Sequence, residues 1–300
     1  MGCGERADGA APLRAMLSPC RLCPRACAVD RLGGERGLCG VGEHATVASA
    51  GPHFGEEACL VGQAGSGAIF LGGCNLRCVF CQNADISHTP LGTERTPSEM
   101  ARLMLRLAAQ GCANINLVTP THVAHVLAEA IVVARAGGLA VPVVWNSSAY
   151  ETVETLRCLD GLVDVYMPDL KFSRSETADR YCGAPDYPEV SRAAVLEMHR
   201  QVGDLTLAGG VACRGLLVRH LVMPGGVAES REILDFLATL APETYVNVMG
   251  QYHPAGRVRP GGDWPELECR PAPSAVAEAR RHARNLGLRL DKVPWRGRGA

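Results

Sequence analysis

Cys74-Asn75-Leu76-Arg77-Cys78-Val79-Phe80-Cys81 places three thiols in one short stretch, at C-x3-C-x2-C spacing. The apolar run Ala68-Ile69-Phe70-Leu71 precedes it, and Gly72-Gly73 joins the two. That order predicts a buried strand leaving through glycines into a cysteine loop. Such a loop can wrap its thiolates around one corner of a cubane [4Fe–4S] cluster, each on its own iron, with the fourth iron left open. A closed zinc site takes four ligands, and His88, the nearest histidine, is too loosely placed to be an obvious fourth.

Upstream, Cys20, Cys23, Cys27 and Cys39 repeat the theme at C-x2-C-x3-C-x11-C spacing. Four thiolates either close a tetrahedral zinc site or fully ligate an iron–sulfur cluster, and soft sulfur ligands suit both. The chain has 14 cysteines. In a reducing compartment, cysteines grouped this way point to metal rather than to disulfides. The ungrouped ones read as small buried hydrophobes. Between the two groups, residues 44–66 are short β-prone pieces broken by glycines, a hairpin-like bridge in which Glu56-Glu57 is expected to be a solvated pair at a turn.

Downstream the pattern alternates. Strands are expected at 68–72, 113–118, 141–146, 162–167, 215–222 and 244–249. Helices are expected near 97–110, 121–136, 150–158, 189–202, 228–240 and 273–286. Thr96, Pro97 and Glu99 form a capping box that opens the first helix. Gly137-Gly138 ends the second, whose Val123, Val126, Leu127, Ala130, Ile131 and Ala134 make one apolar face. Six strand–helix repeats imply parallel strands with right-handed crossovers. The predicted fold class is therefore α/β, a partial (β/α)6 TIM-type barrel with a small N-terminal cysteine-rich module. The expected divisions are a disordered stretch at 1–12, the metal-binding module and bridge at 13–66, the barrel at 67–290 and a tail at 291–300. Barrel chemistry sits at the C-terminal strand ends, where the cysteine loop falls. The same ends carry Thr119 and Thr121, Asn146 and Ser148, Asp169 and Lys171, Arg219, and Met249 and His253. Ser148 and Thr121 read equally well as helix N-caps.

The cysteine loop, with an aromatic before its third cysteine, resembles the signature of the radical S-adenosylmethionine (SAM) superfamily. Asn146-Ser147-Ser148, Asp169-x-Lys171, Arg219 and His253 extend the likeness to its glycyl-radical-enzyme activating branch. Asn114 to His122, Asp160 to Asp164, Arg219 to Pro224 and Gln251-Tyr252, with the N-terminal cysteines, resemble the PflX-like subgroup. Val118-Thr119-Pro120-Thr121 stands where the family has Gly-Gly-Glu, and Asn146 to Ala149 where activating enzymes have Asp-Thr-Asn-Gly.

The resemblance implies a radical SAM oxidoreductase. Cys74, Cys78 and Cys81 would hold a [4Fe–4S] cluster that cleaves SAM to a 5′-deoxyadenosyl radical, which takes hydrogen from a substrate such as a protein glycine. Activating enzymes with extra clusters carry them as an insertion within the barrel; here the spacing of Cys20, Cys23, Cys27 and Cys39, N-terminal to it, is what points to a second [4Fe–4S] cluster or zinc. SAM's carboxylate wants a cation, its amino group and ribose want polar partners, and its adenine wants an apolar wall. Lys171 and Arg219 suit the carboxylate. Thr119, Asn146, Ser148 and Asp169 suit the polar groups, and Phe80 and Met249 the adenine. A reductant such as flavodoxin or ferredoxin is implied, and a protein or peptide substrate fits the activating branch. Two other classes use the same cysteines: an iron–sulfur electron carrier and a zinc-stabilised binding protein.

Composition removes other classes. Lys plus Arg number 30 against 31 acids, for a net charge of −1, so nothing global draws the chain to nucleic acid or an anionic membrane. No apolar stretch has the length of a membrane span, and Met1 to Arg6 lacks a signal-peptide core. A cytoplasmic protein is expected.

Overall fold

A computed structural model describes residues 10–241 and 243–291. The expected disordered stretch and the tail lie mostly outside the described residues. Within them, the chain is already helical over Ala10–Ala15 (α1).

The expected alternation is present, with additions. β1 (Ala45–His53) and the short α2 (Ala58–Val61) lead into β2 (Ser66–Leu71). Then come α3 (Ala84–Ser87), β3 (Thr93–Arg95), α4 (Pro97–Ala109), β4 (Ile115–Val118), α5 (Ala124–Ala136), β5 (Val143–Ser147) and α6 (Val153–Cys158). β6 (Val165–Pro168), α7 (Ser175–Cys182), α8 (Tyr187–Val202), β7 (Thr206–Ala208), β8 (Val211–Leu221) and α9 (Ser230–Leu240) follow. β9 (Tyr245–Met249), α10 (Pro273–Asn285) and β10 (Arg289–Leu290) complete the order. The capping box forms as expected: Thr96 accepts from the Glu99 backbone while the Glu99 carboxylate accepts from that of Thr96. The helix expected at 121–136 opens with a tight 3-10 turn over Thr121–Val123 before α5 begins.

Strands β2, β4, β5, β6, β8, β9 and β10 pair in parallel in that order. β1 adds antiparallel to β2, and β3 to β1. The sheet stays open, with β10 at one edge and β3 at the other. Side chains alternate between its faces. Ile69, Leu117, Trp145, Tyr166, Val218 and Val246 join the helices in the main outer core. Leu13, Met16, Leu17, Leu22 and Val41 pack into this core too, so the N-terminal residues share it with the barrel.

The concave face is filled differently. Cys59 and Leu60 of α2 pack with Val144, Val165, Met167, Leu217 and Tyr245. The Asn114 amide donates to the Leu60 carbonyl at 2.7 Å. The expectation for Glu56-Glu57 is overturned here: the pair is buried. Glu57, 5 % exposed, accepts from Arg219 Nε at 2.8 Å and from Asn247 Nδ2 at 2.7 Å. Arg219 Nη2 also pairs with Glu56. A two-residue acidic run looks solvated when its partner lies on β8, far along the chain.

Burial penalises the Glu57 carboxylate, but Arg219 and Asn247 outweigh it and lower its pKa. Its stabilising contribution is therefore present above the ordinary glutamate range and is lost as pH falls through the lowered folded value. Breaking a buried pair from one side costs about 3–5 kcal/mol, whereas an exposed pair such as Arg21–Glu154 contributes at most about 1 kcal/mol. Glu57→Ala is expected to lower the urea midpoint several-fold more than Arg21→Ala, as followed by circular dichroism. Equal shifts would show that the pair does not hold the barrel.

Candidate metal centre

β2 delivers the chain to its C-terminal edge at Leu71, and Gly72-Gly73 turn it into the cysteine loop. Gly73 has φ +83°, and a Cβ there would lie 2.5 Å from the Cys39 carbonyl oxygen. Only glycine permits both the turn and that approach. Cys74 and Cys78 are buried and Cys81 half-buried.

The loop has almost no regular structure of its own, so distant segments satisfy its backbone. The C-terminal end of α7 accepts two of its amides: Val79 N donates to Tyr181 O at 2.9 Å and Arg77 N to Cys182 O at 3.3 Å. Arg257 N donates back to Val79 O at 2.7 Å. Gly256, at φ +63°, lies so close that an added Cβ would meet the Val79 and Cys81 carbonyls at 2.8 and 2.9 Å. Asn75 Nδ2 donates to Tyr150 O at 2.7 Å. From the N-terminal side, Arg25 Nε donates to Asn75 O at 2.7 Å, and Arg77 reaches the Leu38 carbonyl. The Asn75 side chain also faces the Cys23 thiol. The N-terminal cysteine segment is thus docked directly against the loop.

Burial, then Cys78, pushes the Cys74 thiol up to about 12. Contact with Cys182, then burial, raises Cys78 well above the usual thiol range. Burial, then Cys78, raises Cys81. Lys171 opposes the shift on all three, so its ammonium lies within electrostatic reach of the loop. Lys171 Nζ donates to Asp169 Oδ2 at 2.7 Å. Burial disfavours the lysine's charge, but Asp169 and Cys78 outweigh it and raise its pKa. Thiols that bind metal must lose their protons, so loading is favoured as pH rises.

The other expected residues sort unevenly. Phe80 packs edge-on against Phe172 and Tyr252, at 6.1 and 6.2 Å between ring centroids, in the hydrophobic cluster beneath the loop. His253 is exposed, with Nδ1 3.4 Å from Gln82 Nε2, next to Cys81. Asn146 is the penultimate residue of β5, and its carbonyl accepts from Thr119 N at 2.9 Å. Thr119 and Ala149 both hold left-handed backbone, at φ 62° and 57°, where the family resemblance places glycines. Ser148 and Met249 are half-buried at their strand ends. Arg219 is engaged by Glu56 and Glu57. Neither N-cap reading holds. Thr121 donates to the buried Glu151, as do Trp145 and Ser147. α6 is capped by Thr152, not Ser148.

Two features escape a reading of the sequence. Cys182 Sγ lies 3.3 Å from Cys78 Sγ; the one signal for it is Gly183, the left-handed stop of α7. Asn116 faces the concave side, with both side-chain polar atoms buried and unpartnered among the described residues. Also among these residues, no three His, Cys, Asp or Glu side chains meet at one point as the ligands of a single ion do. Cubane thiolates each take a different iron, so they ring a volume instead. The three-thiol loop, its buried position and the adjacent lysine fit a cluster of that kind.

A family model of the radical SAM superfamily matches residues 68–237. The chain belongs to the radical SAM superfamily. It is 31 % identical over 279 residues to the protein MJ0674 of Methanocaldococcus jannaschii, covering 90 % of this chain and 76 % of that one. It is 28 % identical over 169 residues to MJ0808 of the same organism, covering 51 % of this chain and 49 % of that one. In fold it is similar to a radical SAM methyltransferase from Sphaerobacter thermophilus, with a TM-score of 0.51 and 16 % identity. That match covers 75 % of this chain and 65 % of the methyltransferase. Membership in this superfamily implies a [4Fe–4S] cluster, SAM and a reductant.

Gly73→Ala forces a side chain against the Cys39 carbonyl and into left-handed backbone. It is expected to undock the N-terminal segment, seen as faster limited proteolysis between residues 20 and 44. Gly138→Ala, also at positive φ but with open space around it, should leave that cleavage rate unchanged. Equal rates in both variants would remove the docking role.

Proposed function

We propose that this chain is a radical SAM oxidoreductase of the activating-enzyme type, PflX-like, that takes a hydrogen atom from a protein or peptide substrate, a glycine being the first candidate. The observation that carries the reading is the buried Cys74–Cys78–Cys81 loop at the C-terminal end of β2, with the Lys171–Asp169 pair beside it. When bound, the cluster and SAM supply one-electron cleavage of the sulfonium S–C5′ bond and a 5′-deoxyadenosyl radical.

The chain's own residues would do the rest. Cys74, Cys78 and Cys81 hold the cluster. Lys171, kept charged by Asp169, attracts the SAM carboxylate. Arg219 is bound by two glutamates, so we assign it to bracing β8 and β9 and leave the carboxylate to Lys171. Thr119, Asn146 and Ser148 offer polar groups to the amino group and ribose, and Met249 offers an apolar wall to adenine. Phe80, held by Phe172 and Tyr252, supports the loop, and His253 borders it. Asn116 supplies an unused donor and acceptor inside the barrel, which favours a ligand with a polar end there. An electron carrier or a zinc-stabilised binding protein would have no use for the half-buried Lys171–Asp169 pair. Cys20, Cys23, Cys27 and Cys39 would hold a second metal. Flavodoxin or ferredoxin is the proposed class of donor. No helix among the described residues is long and apolar enough to cross a membrane.

Cys78→Ala is expected to abolish both the iron–sulfur absorbance of this site and 5′-deoxyadenosine formation after anaerobic reconstitution and reduction. SAM cleavage at the unaltered rate would overturn the assignment. Lys171→Ala should leave the cluster assembled but weaken SAM binding by about 2–5 kcal/mol, the cost of removing one partner of a desolvated charge pair. An unchanged dissociation constant would return Lys171 to a structural role.

A further inference from the structure

Arg31 is 2 % exposed. Its Nε and Nη2 donate to Gly42 O at 3.0 and 2.6 Å, and its Nη1 donates to His122 O at 2.9 Å. The same Nη1 lies 4.0 Å from Cys20 Sγ. Carbonyls satisfy its donors but do not neutralise it. Among the described residues it forms no ion pair with a carboxylate, and the nearby Glu43 is taken by Arg14. Two histidines close to it, His122 and His125, are buried and bonded through one ring nitrogen to carbonyl oxygens, so they bring no negative charge. A buried guanidinium in this position calls for an anion.

The groups that can supply one are the four N-terminal cysteines. Cys20 touches Arg31, and Cys39 lies within electrostatic reach of Arg31, Cys20 and Cys27. Cys23 is within reach of Cys20 and Cys39. The short loop that carries three of them holds non-glycine residues Ala26 and Ala28 in left-handed backbone, at φ 38° and 58°. Sequence spacing supplies the donors, and the fold supplies the counter-charge. The same segment abuts the first cysteine loop at two points: the Cys39 carbonyl against Gly73, and Cys23 against the Asn75 side chain.

We propose that Cys20, Cys23, Cys27 and Cys39 hold a second [4Fe–4S] cluster, balanced by buried Arg31, that passes electrons to the Cys74–Cys78–Cys81 centre across the Asn75 and Gly73 contacts. The acceptor half of this inference rests on the radical SAM reading; the binding half does not. Four thiolates leave no iron open, so this site suits electron transfer rather than SAM binding. A one-electron donor of the flavodoxin or ferredoxin class is oxidised by one electron, the second cluster is reduced by one, and it returns to its first state as the electron moves on. No bond forms or breaks in the transfer. A zinc ion would balance Arg31 equally well but cannot accept an electron.

The test begins with full-length protein carrying Cys74→Ser, Cys78→Ser and Cys81→Ser, reconstituted anaerobically. About four irons per chain and a reducible electron-paramagnetic-resonance signal are expected, and both should vanish on adding Cys27→Ser. One zinc without iron, or no metal, overturns the proposal. In the triple-serine background, Arg31→Met should make the reduction potential more negative, because the reduced cluster loses its counter-charge, and Arg31→Lys should restore most of the difference. A potential unmoved by Arg31→Met overturns the counter-charge role. Should the methionine variant not fold, a lysine variant that loses the signal while still folding overturns it equally. In protein with all seven cysteines, full reduction should give spin–spin splitting between the two centres; two unperturbed signals overturn the electron route. A triple-serine protein that holds four irons while the unaltered enzyme cleaves no SAM would sink the radical SAM reading and leave the second cluster standing.

Discussion

A buried salt bridge ties the segment that fills the concave face to two strands of the open sheet. A parallel sheet that stops short of closure has two ends that no strand pairing joins. Here Glu57, at the start of α2, enters the concave face and binds Arg219 of β8 and Asn247 of β9. The α2 segment fills the interior with Cys59 and Leu60, and the ion pair fixes how far it enters. Desolvating these charges is costly, so the arrangement persists only because Glu57 has three donors and Arg219 has two carboxylates. The clamp fixes β8 and β9, and Leu170 next to the Lys171–Asp169 pair donates to the backbone carbonyl of the clamped Arg219.

Above it, the cysteine loop is an irregular segment made rigid by borrowed partners. Tyr181 and Cys182 accept its amides, Arg257 donates to its carbonyl, and Arg25 and Arg77 bind it to the N-terminal residues. Loops carry function when a scaffold fixes them, and in this chain the scaffold includes segments on both sides in sequence. The buried thiols beside Lys171 follow from that enclosure rather than from any property of the loop alone.

The strands and helices of the barrel were legible because their signals are local. Apolar runs marked β2, β4, β5, β6 and β9, and the Thr96–Glu99 box and Gly137 marked helix ends within a residue or so. The three-cysteine spacing was equally local. Less legible were α7 and the β7–β8 hairpin, although Gly183 and Gly209-Gly210 are stop and turn signals in hindsight. Glu57 was misread because its partner lies 162 residues away, and nothing near an acidic pair distinguishes a solvated turn from a buried clamp. Arg31 was invisible for the same reason: its meaning depends on which charges are missing around it, and only the folded chain defines that set.

The layered cover over Cys74 to Cys81 has a consequence for how the site comes into being. Its lid is made of residues 25, 38 and 39 on one side and 256 and 257 on the other. During synthesis the N-terminal portion is available early, but Gly256 and Arg257 emerge long after the cysteines themselves. Until residues 256 and 257 are in place, the loop is covered from its N-terminal side alone. The cover is complete only once that downstream segment has folded back across the loop.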